Sequence, residues 1–405
     1  MTAPTLPPLL LSRYTATTCL GHGLDATFAA LERQASGLRH CDFETATMDT
    51  WIGPVDGVDE VKIPAALVAD YDCRNNRLAL LGLQADGFED AARAAISRYG
   101  ANRVGLFLGT STSSILETEI AFRHRNPDGS LPADFRYRGA HNAYSVAVFV
   151  RDYLGLQGPA SVISTACSSS AKVFAQAQRM IALGLIDAAL VGGVDCLCLT
   201  TLYGFSSLEL TSPNPCRPYD GERDGISIGE GAAYALLERC PHGVDGVDAN
   251  AVLLLGCGES SDAYHMSSPH PEGLGAKQAM EAALAAAGLT TGDIDYINLH
   301  GTATPSNDSA EGKAVMSLFG NGTPCSSTKG ATGHTLGAAG AVEAVVSALA
   351  LTHGLIPGSP NTVSLDPALS LDYALTPRHA KLRRVLSNSF GFGGSNCSLV
   401  FGAAQ

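Results

Sequence analysis

Between Ser161 and Ile181 the chain reads SVISTACSSSAKVFAQAQRMI, and this stretch restricts the possible folds more than any other. Val162 and Ile163 belong to a short apolar, β-branched run of the kind that forms a buried strand. Val173, Phe174, Ala177, Met180 and Ile181 then recur at the spacing of one face of an amphipathic helix. Cys167 lies between the two and is expected on the first turn of that helix. A thiol there feels the positive end of the helix dipole and nearby free N–H groups, both of which favour thiolate, the nucleophilic form. The bland alternative is a buried core cysteine, and one Cys does not decide between them.

The same alternation runs through the chain. Buried strands are expected at 103–109, 187–195, 233–238, 251–256, 295–300, 385–390 and 398–401. Helices are expected at 24–33, 73–83, 88–99, 115–123, 143–153, 274–287, 307–319 and 338–352. Two successive series of strand and helix imply a duplicated α/β fold, with the one convincing boundary in 240–249. The 44 glycines and 16% charged residues among 405 suit a large, well-buried protein with many tight turns. A formal charge of −13 with no basic run argues against wholesale nucleic-acid binding. The 11 cysteines are odd in number and contain no CxxC pair. That suggests neither a disulfide framework nor a zinc ribbon and suits reduced thiols in cytoplasm. The opening MTAPTLPPLLLSRYT lacks a basic leader, so no signal peptide is expected, and no membrane-inserted segment either.

Three further motifs carry possible chemistry. In NLHGTATPSNDSAE, Asn298 to Glu311, His300 ends a strand, Thr302 and Thr304 offer hydroxyls, and Asp308 and Glu311 share a helix face. In STKGATGHTLGAAGAVEAV, Ser327 to Val345, glycines hold Lys329 and His334 in a tight loop before a helix. That loop is neither a phosphate loop nor a zinc-protease motif. In SNSFGFGGSNCSLVFG, Ser387 to Gly402, the glycine loop leads to a strand and not a helix. A dinucleotide site is therefore rejected, and backbone N–H groups aimed at an oxyanion are the alternative. Each motif alone reads equally as a loop with a capping or solvated polar residue.

Taken together and in this order, the motifs resemble the β-ketoacyl–acyl carrier protein synthases of the thiolase superfamily. CRPYDGERDGISIGEGAA (216–233) and ESSDAYHMSSPHPEG (259–273) extend the resemblance along nearly the whole chain. It implies a thiolase-like, five-layered αβαβα fold of two similar halves, 1–242 with the nucleophile and 243–405 with two histidines, and usually a dimer. It implies Cys167 as nucleophile, with the N–H groups of Cys167 and Phe392 as oxyanion hole. His300 and His334 would act mainly on the malonyl group. Lys329 would hold the loop and tune its charge through Glu311, with Asp308 and Glu343 in support. Thr302, Thr304, Phe205 and Phe392 would line the substrate path. No metal or soluble cofactor is expected, since the phosphopantetheine arm arrives on the carrier protein.

The resemblance also separates relatives. Thiolases carry a second catalytic cysteine in Cys-x-Gly near the end; here the tail reads Asn396-Cys397-Ser398. Chain-length-factor subunits lack the nucleophile that Cys167 supplies. A non-catalytic partner of that type and a coenzyme A-dependent thiolase remain as alternatives. An acyl carrier protein would dock on Arg74 and Arg77, with Arg136 and Arg138 nearby. GTSTSSILETE (109–119) and LTTLYGF (199–205) look more like synthases of bacterial aryl polyenes than of housekeeping fatty acids. Hydroxyls at the pocket floor are the suggested reason. The dimer would then be a homodimer or a heterodimer with a Cys-lacking homologue.

Overall fold

The computed structural model describes residues 6–240, 248–249 and 251–404. Its first half contributes β1 (Leu9–Thr18), α1 (Arg74–Leu83), β2 (Val104–Gly109), α2 (Ile115–Arg123), β3 (Ala160–Ile163), α3 (Ser169–Ala182), β4 (Ala188–Asp195), α4 (Leu199–Ser207) and β5 (Gly231–Arg239). The second half contributes β6 (Val252–Ser261), α5 (Leu274–Ala287), β7 (Tyr296–Asn298), α6 (Pro305–Phe319), β8 (Cys325–Ser326), α7 (Ala339–His353), β9 (Arg384–Gly391) and β10 (Ser395–Ala403). The boundary expected at 242/243 falls outside the described residues.

The duplication is written in strand order. The first sheet runs β1-β5-β4-β2-β3 and the second runs β6-β10-β9-β7-β8. Directions match as well. In each half the first and fifth strands pair antiparallel, as do the fifth and fourth, and the remaining pairs are parallel. The sheets join where β1 meets β6, Leu9 opposite Leu254 and Leu10 opposite Leu253. Strand β1 is absent from the sequence expectations. Its apolar alternation is broken by a bulge between Leu11 and Arg13, and its partners in β5 and β6 lie more than 200 residues away in sequence.

Helices α3 and α7 form the middle layer, each touching strands of both sheets. Small residues make that possible. A Cβ on Gly340 would sit 2.5 Å from the Ala171 nitrogen, and one on Gly193 would sit 2.6 Å from the Ser170 Cβ. The core between the sheets draws Phe107, Phe174 and Val191 from one half and Val345, Leu399 and Phe401 from the other. Burying each such side chain is worth about 1.5–3 kcal/mol. Residues 336–353 are long and apolar enough to cross a bilayer, but 89% of that window is buried inside the protein. They form a core helix. On the outer faces, α1 packs on the first sheet and α5 on the second, with α6 against α5. Five layers result: helix, sheet, helix, sheet, helix.

Candidate active site

Strand β3 ends at Ile163, and α3 begins only at Ser169. Cys167 therefore lies in the intervening turn, two residues before the helix, and not on its first turn as expected. Ala166 takes a left-handed φ of 53°, which turns the chain sharply and costs on the order of 1–3 kcal/mol. The turn is held by its own hydroxyls. Ser168 Oγ donates to Thr165 O at 3.0 Å, and Thr165 N–H donates to Ser169 Oγ at 2.9 Å.

The Cys167 thiol is 5% exposed. Burial pushes its pKa up to about 12, against the opposing pull of the Lys329 cation and of a hydrogen bond from the Phe392 N–H. The thiolate expectation is thus corrected. Loss of water outweighs the helix dipole, so the sulfur rests protonated and needs a base in contact. His334 Nε2 is 2.9 Å from Sγ.

His334 reaches that position because its backbone is pinned between Ser227 O, which accepts from its N–H at 2.7 Å, and Gly229 N–H, which donates to its carbonyl at 3.0 Å. The glycine-rich loop 211–232 therefore positions a side chain of the site. His300 follows the end of β7. Its backbone N–H and that of Gly301 each donate to Glu311 at 2.8 Å. The two imidazoles meet edge to face, centroids 5.3 Å apart. Burial first, then the Lys329 cation, holds both pKa values well below the usual histidine range, so both rings are neutral. Lys329 Nζ lies 3.4 Å from His300 Nδ1 and donates to the His300 carbonyl. An ammonium only donates, so Nδ1 is the acceptor and the His300 proton sits on Nε2.

Lys329 is paired with Glu343 and not with Glu311 as expected. Burial raises Glu343 to about 7 against the pull of that lysine. Glu311 instead collects N–H donors together with Asn388 Nδ2 at 3.1 Å and Tyr219 OH at 3.0 Å. Asp308 accepts from the N–H groups of Thr302 and Tyr219 at 2.9 and 2.8 Å. These acids fix backbone around the histidines and leave the ring atoms free for chemistry. Sγ and the ring nitrogens of His300 and His334 lie within 4.8 Å of one another. That Cys/His/His set is the one group of potential metal donors this close among the described residues.

The cavity above these groups is open to solvent, spans about 570 Å³ including its mouth, and is lined by Phe205, Ile226, Thr302, Thr304, Phe390 and Phe392 among others. The Thr302 and Thr304 hydroxyls are 2.9 Å apart, and Thr304 also caps α6. Phe205 and Phe392 face each other with centroids 5.5 Å apart. Cys397 is wholly buried within β10, away from this lining.

Other expectations separate from the site. Arg74 turns inward to Glu230 and also bonds Asp59 at 2.7 Å, leaving its side chain 12% exposed. Arg77 grips Asp72 with two bonds, at 2.6 and 2.9 Å. Arg136 donates to the carbonyls of Val68, Ala69 and Asp72. Arg138 is exposed. Arg74 and Arg77 line a separate cavity that shares no residue with the one over Cys167. The hydroxyls of Thr110, Thr112 and Ser113 are turned to partners inside the protein. Those of Thr110 and Thr112 each donate to Asp195 at 2.7 Å, and that of Ser113 donates to Asn142 O at 2.9 Å. Asp195, which the sequence reading missed, also accepts from Ala338 N–H at 3.0 Å beside the start of α7. An acid at a strand end carries no signal of such a role.

Residues 75–242 match the β-ketoacyl synthase N-terminal domain, and residues 251–363 match its C-terminal domain. The 3-oxoacyl-[acyl-carrier-protein] synthase 2 of Mycobacterium bovis is 32% identical over 427 residues, covering 99% of each chain. Among solved structures, the ketosynthase (ApeO) in complex with its chain length factor (ApeC) from Xenorhabdus doucetiae superposes with a TM-score of 0.88 at 36% identity, covering 98% of each chain. A β-ketoacyl synthase from Burkholderia phymatum gives 0.87 at 30% identity, covering 99% of this chain and 100% of the other. Two domain matches, full-length relatives and the Cys167, His300, His334 arrangement agree, and the chain belongs to the β-ketoacyl synthase family.

Proposed function

We propose that Cys167 takes an acyl group from a carrier-protein thioester and passes it to a malonyl-derived carbanion. The overall reaction is that of a 3-oxoacyl-[acyl-carrier-protein] synthase, an acyltransferase. The observation that carries the assignment is the meeting of Sγ with His334 Nε2 at 2.9 Å in the cavity that Phe392 also lines. His334 accepts the thiol proton as sulfur attacks the thioester carbonyl. The Phe392 and Cys167 N–H groups receive the developing oxyanion. The pantetheine thiol leaves with a proton, and the acyl group stays on Cys167. Malonyl–carrier protein follows, its arm beside Thr302 and Thr304. Loss of carbon dioxide leaves an enolate, whose oxygen accepts hydrogen bonds from His300 Nε2–H and from His334, whose single ring proton shifts to Nε2 once Sγ is acylated and offers no proton. The carbanion forms the new carbon–carbon bond, the Cys167 thioester bond breaks with its sulfur leaving as thiolate, a proton from water restores the thiol, and the β-ketoacyl carrier departs. Lys329, balanced by Glu343, holds His300 in its donor tautomer.

A catalytic subunit is favoured over a chain-length-factor role because the nucleophile and both histidines are present and assembled. It is favoured over a thiolase because Cys397 is sealed within β10. We assign 1–242 and 243–405 as the two halves and the cytoplasm as the compartment. For carrier docking, Arg138 replaces Arg74 as the leading candidate, since it is exposed and Arg74 is tied to Glu230. The partner is an acyl carrier protein. Pairing with a homologous subunit is supported by likeness to a ketosynthase that stands in complex with its chain length factor. The polyene-type reading rests on the resemblance of 109–119 and 199–205, because the Thr110, Thr112 and Ser113 hydroxyls offered among its reasons are satisfied inside the protein.

The test is condensation with malonyl–carrier protein. Saturated and conjugated acyl carriers of equal length are supplied, with and without a Cys-lacking homologue. A β-ketoacyl product with preference for the conjugated chain in the presence of the partner is expected. Preference for the saturated chain by the protein alone would overturn the polyene reading, and no product from any acyl carrier would overturn the condensing one.

A further inference from the structure

Helix α4 is thinly anchored. Of its nine residues only Leu202 is buried, and its N-cap residue, Cys198, makes no side-chain cap bond. The first N–H groups of a helix have no partner within it and must be satisfied from elsewhere. Here Glu119 of α2 supplies both acceptors. Its carboxylate accepts from Leu199 N–H at 3.0 Å, Thr200 N–H at 2.6 Å and the Thr200 hydroxyl at 2.5 Å. Just upstream, Leu197 N–H is held by Glu230 at 2.9 Å. One turn and a half along α4 stands Phe205, whose ring meets Phe392 at 5.5 Å in the wall of the Cys167 cavity. The Phe392 N–H is also one of the groups that pull the Cys167 pKa down against burial.

We infer that Glu119 is a positioning residue for the aromatic gate: by capping α4 from a different helix it fixes Phe205 against Phe392 and so sets which acyl chains reach Cys167. The inference rests on the condensing function proposed above and adds a determinant of its acyl selectivity. Segment 110–123 is itself clamped by Asp195, which binds Thr110 and Thr112 at its start. Helix α2 also buries two residues, Leu116 and Ala121, where α4 buries Leu202 alone, so the carboxylate of Glu119 is presented from the better-anchored helix. Loosening the cap widens the gate, so discrimination between short and long chains falls.

The experiment measures kcat/KM for transfer of a short and of a long saturated acyl group from carrier protein to Cys167, with iodoacetamide alkylation of the same thiol as a control. Glu119→Gln keeps the size of the side chain but turns one acceptor into a donor facing an N–H. It is expected to reduce the discrimination ratio about fivefold, the range of a lost helix cap, while alkylation stays within about twofold of wild type. Thr200→Val, which removes one of the three donors, should shift the ratio less and in the same direction. In a Phe205→Ala background neither substitution should move the ratio, because the ring through which they act is gone. A ratio unmoved in the single variants, or moved equally with and without Phe205, overturns the inference. Should Glu119→Gln fail to fold, Thr200→Val decides the question by the same two comparisons. Wild-type protein that accepts neither acyl group would refute the condensing function itself, an outcome distinct from acylated protein with an unmoved ratio.

Discussion

Replacing Gly391 by alanine tests how closely the oxyanion loop must approach the nucleophile. The residue is extended, with φ −109° and ψ 152°, so the substitution meets no torsional objection. The objection is contact. An added Cβ would lie 2.7 Å from Thr165 O, 3.0 Å from Ser395 O and 3.3 Å from Cys167 N. All three are backbone atoms, so no side chain can swing aside. A comfortable carbon–oxygen contact begins near 3.3 Å, which requires the 391–394 loop to retreat from the 165–167 turn by about 0.6 Å. The Phe392 N–H would retreat with it, and a donor displaced that far no longer meets the oxyanion. Loss of one such donor lowers turnover by about 10²–10³-fold, and the strain itself costs about 1–3 kcal/mol of stability. Rapid-quench measurement of acyl transfer to Cys167 should show a fall of about 10²-fold, while iodoacetamide alkylation changes little. Acyl transfer within about threefold of wild type, or an equal fall in alkylation, would refute the reasoning.

The two histidines should separate by half-reaction. His300→Ala is expected to lower malonyl decarboxylation by about 10²-fold and spare acylation, whereas His334→Ala, lost from beside Sγ, lowers both; malonyl-carrier turnover and acyl-enzyme formation measured separately decide this. Because burial and Lys329 hold both histidines below their ordinary pKa of 6.5, the neutral form persists as pH falls through that value. Decarboxylation should show no loss with a midpoint near pH 6.5, and a loss there would contradict the neutral-donor assignment. Arg74→Glu should destabilise the fold by about 3–5 kcal/mol in denaturant titration, because it strands the buried Glu230. Arg138→Glu should leave the denaturation midpoint unchanged and raise the carrier KM.

The parts of the site legible in sequence were those built at junctions. Cys167, His300 and His334 each follow a strand or precede a helix, beside small residues or glycine, and the resemblance to the β-ketoacyl synthases is what joins them into one site. What escaped depends on contacts between distant segments. Nothing local distinguishes Glu311 from Glu343 as the partner of Lys329, since both are acids on the inner faces of helices. The Thr110 and Thr112 hydroxyls read as pocket lining because their acceptor, Asp195, is more than 80 residues away. Nothing local marks Glu119 as a helix cap either, since its partners lie at 199–200. The protonation of Cys167 was misjudged because helix position is visible in sequence and desolvation is not. Of the fold, the two strand–helix series were visible; β1 was not, because a bulge hides its period.

The most direct measurement is intact-protein mass spectrometry after incubation with acyl–carrier protein, followed by peptide mapping. One acyl group per chain on Cys167, discharged by malonyl–carrier protein and absent in Cys167→Ser, is predicted. An unacylated protein, an acyl group on another residue, or a Cys167→Ser variant that still condenses at near-normal rate would contradict the account.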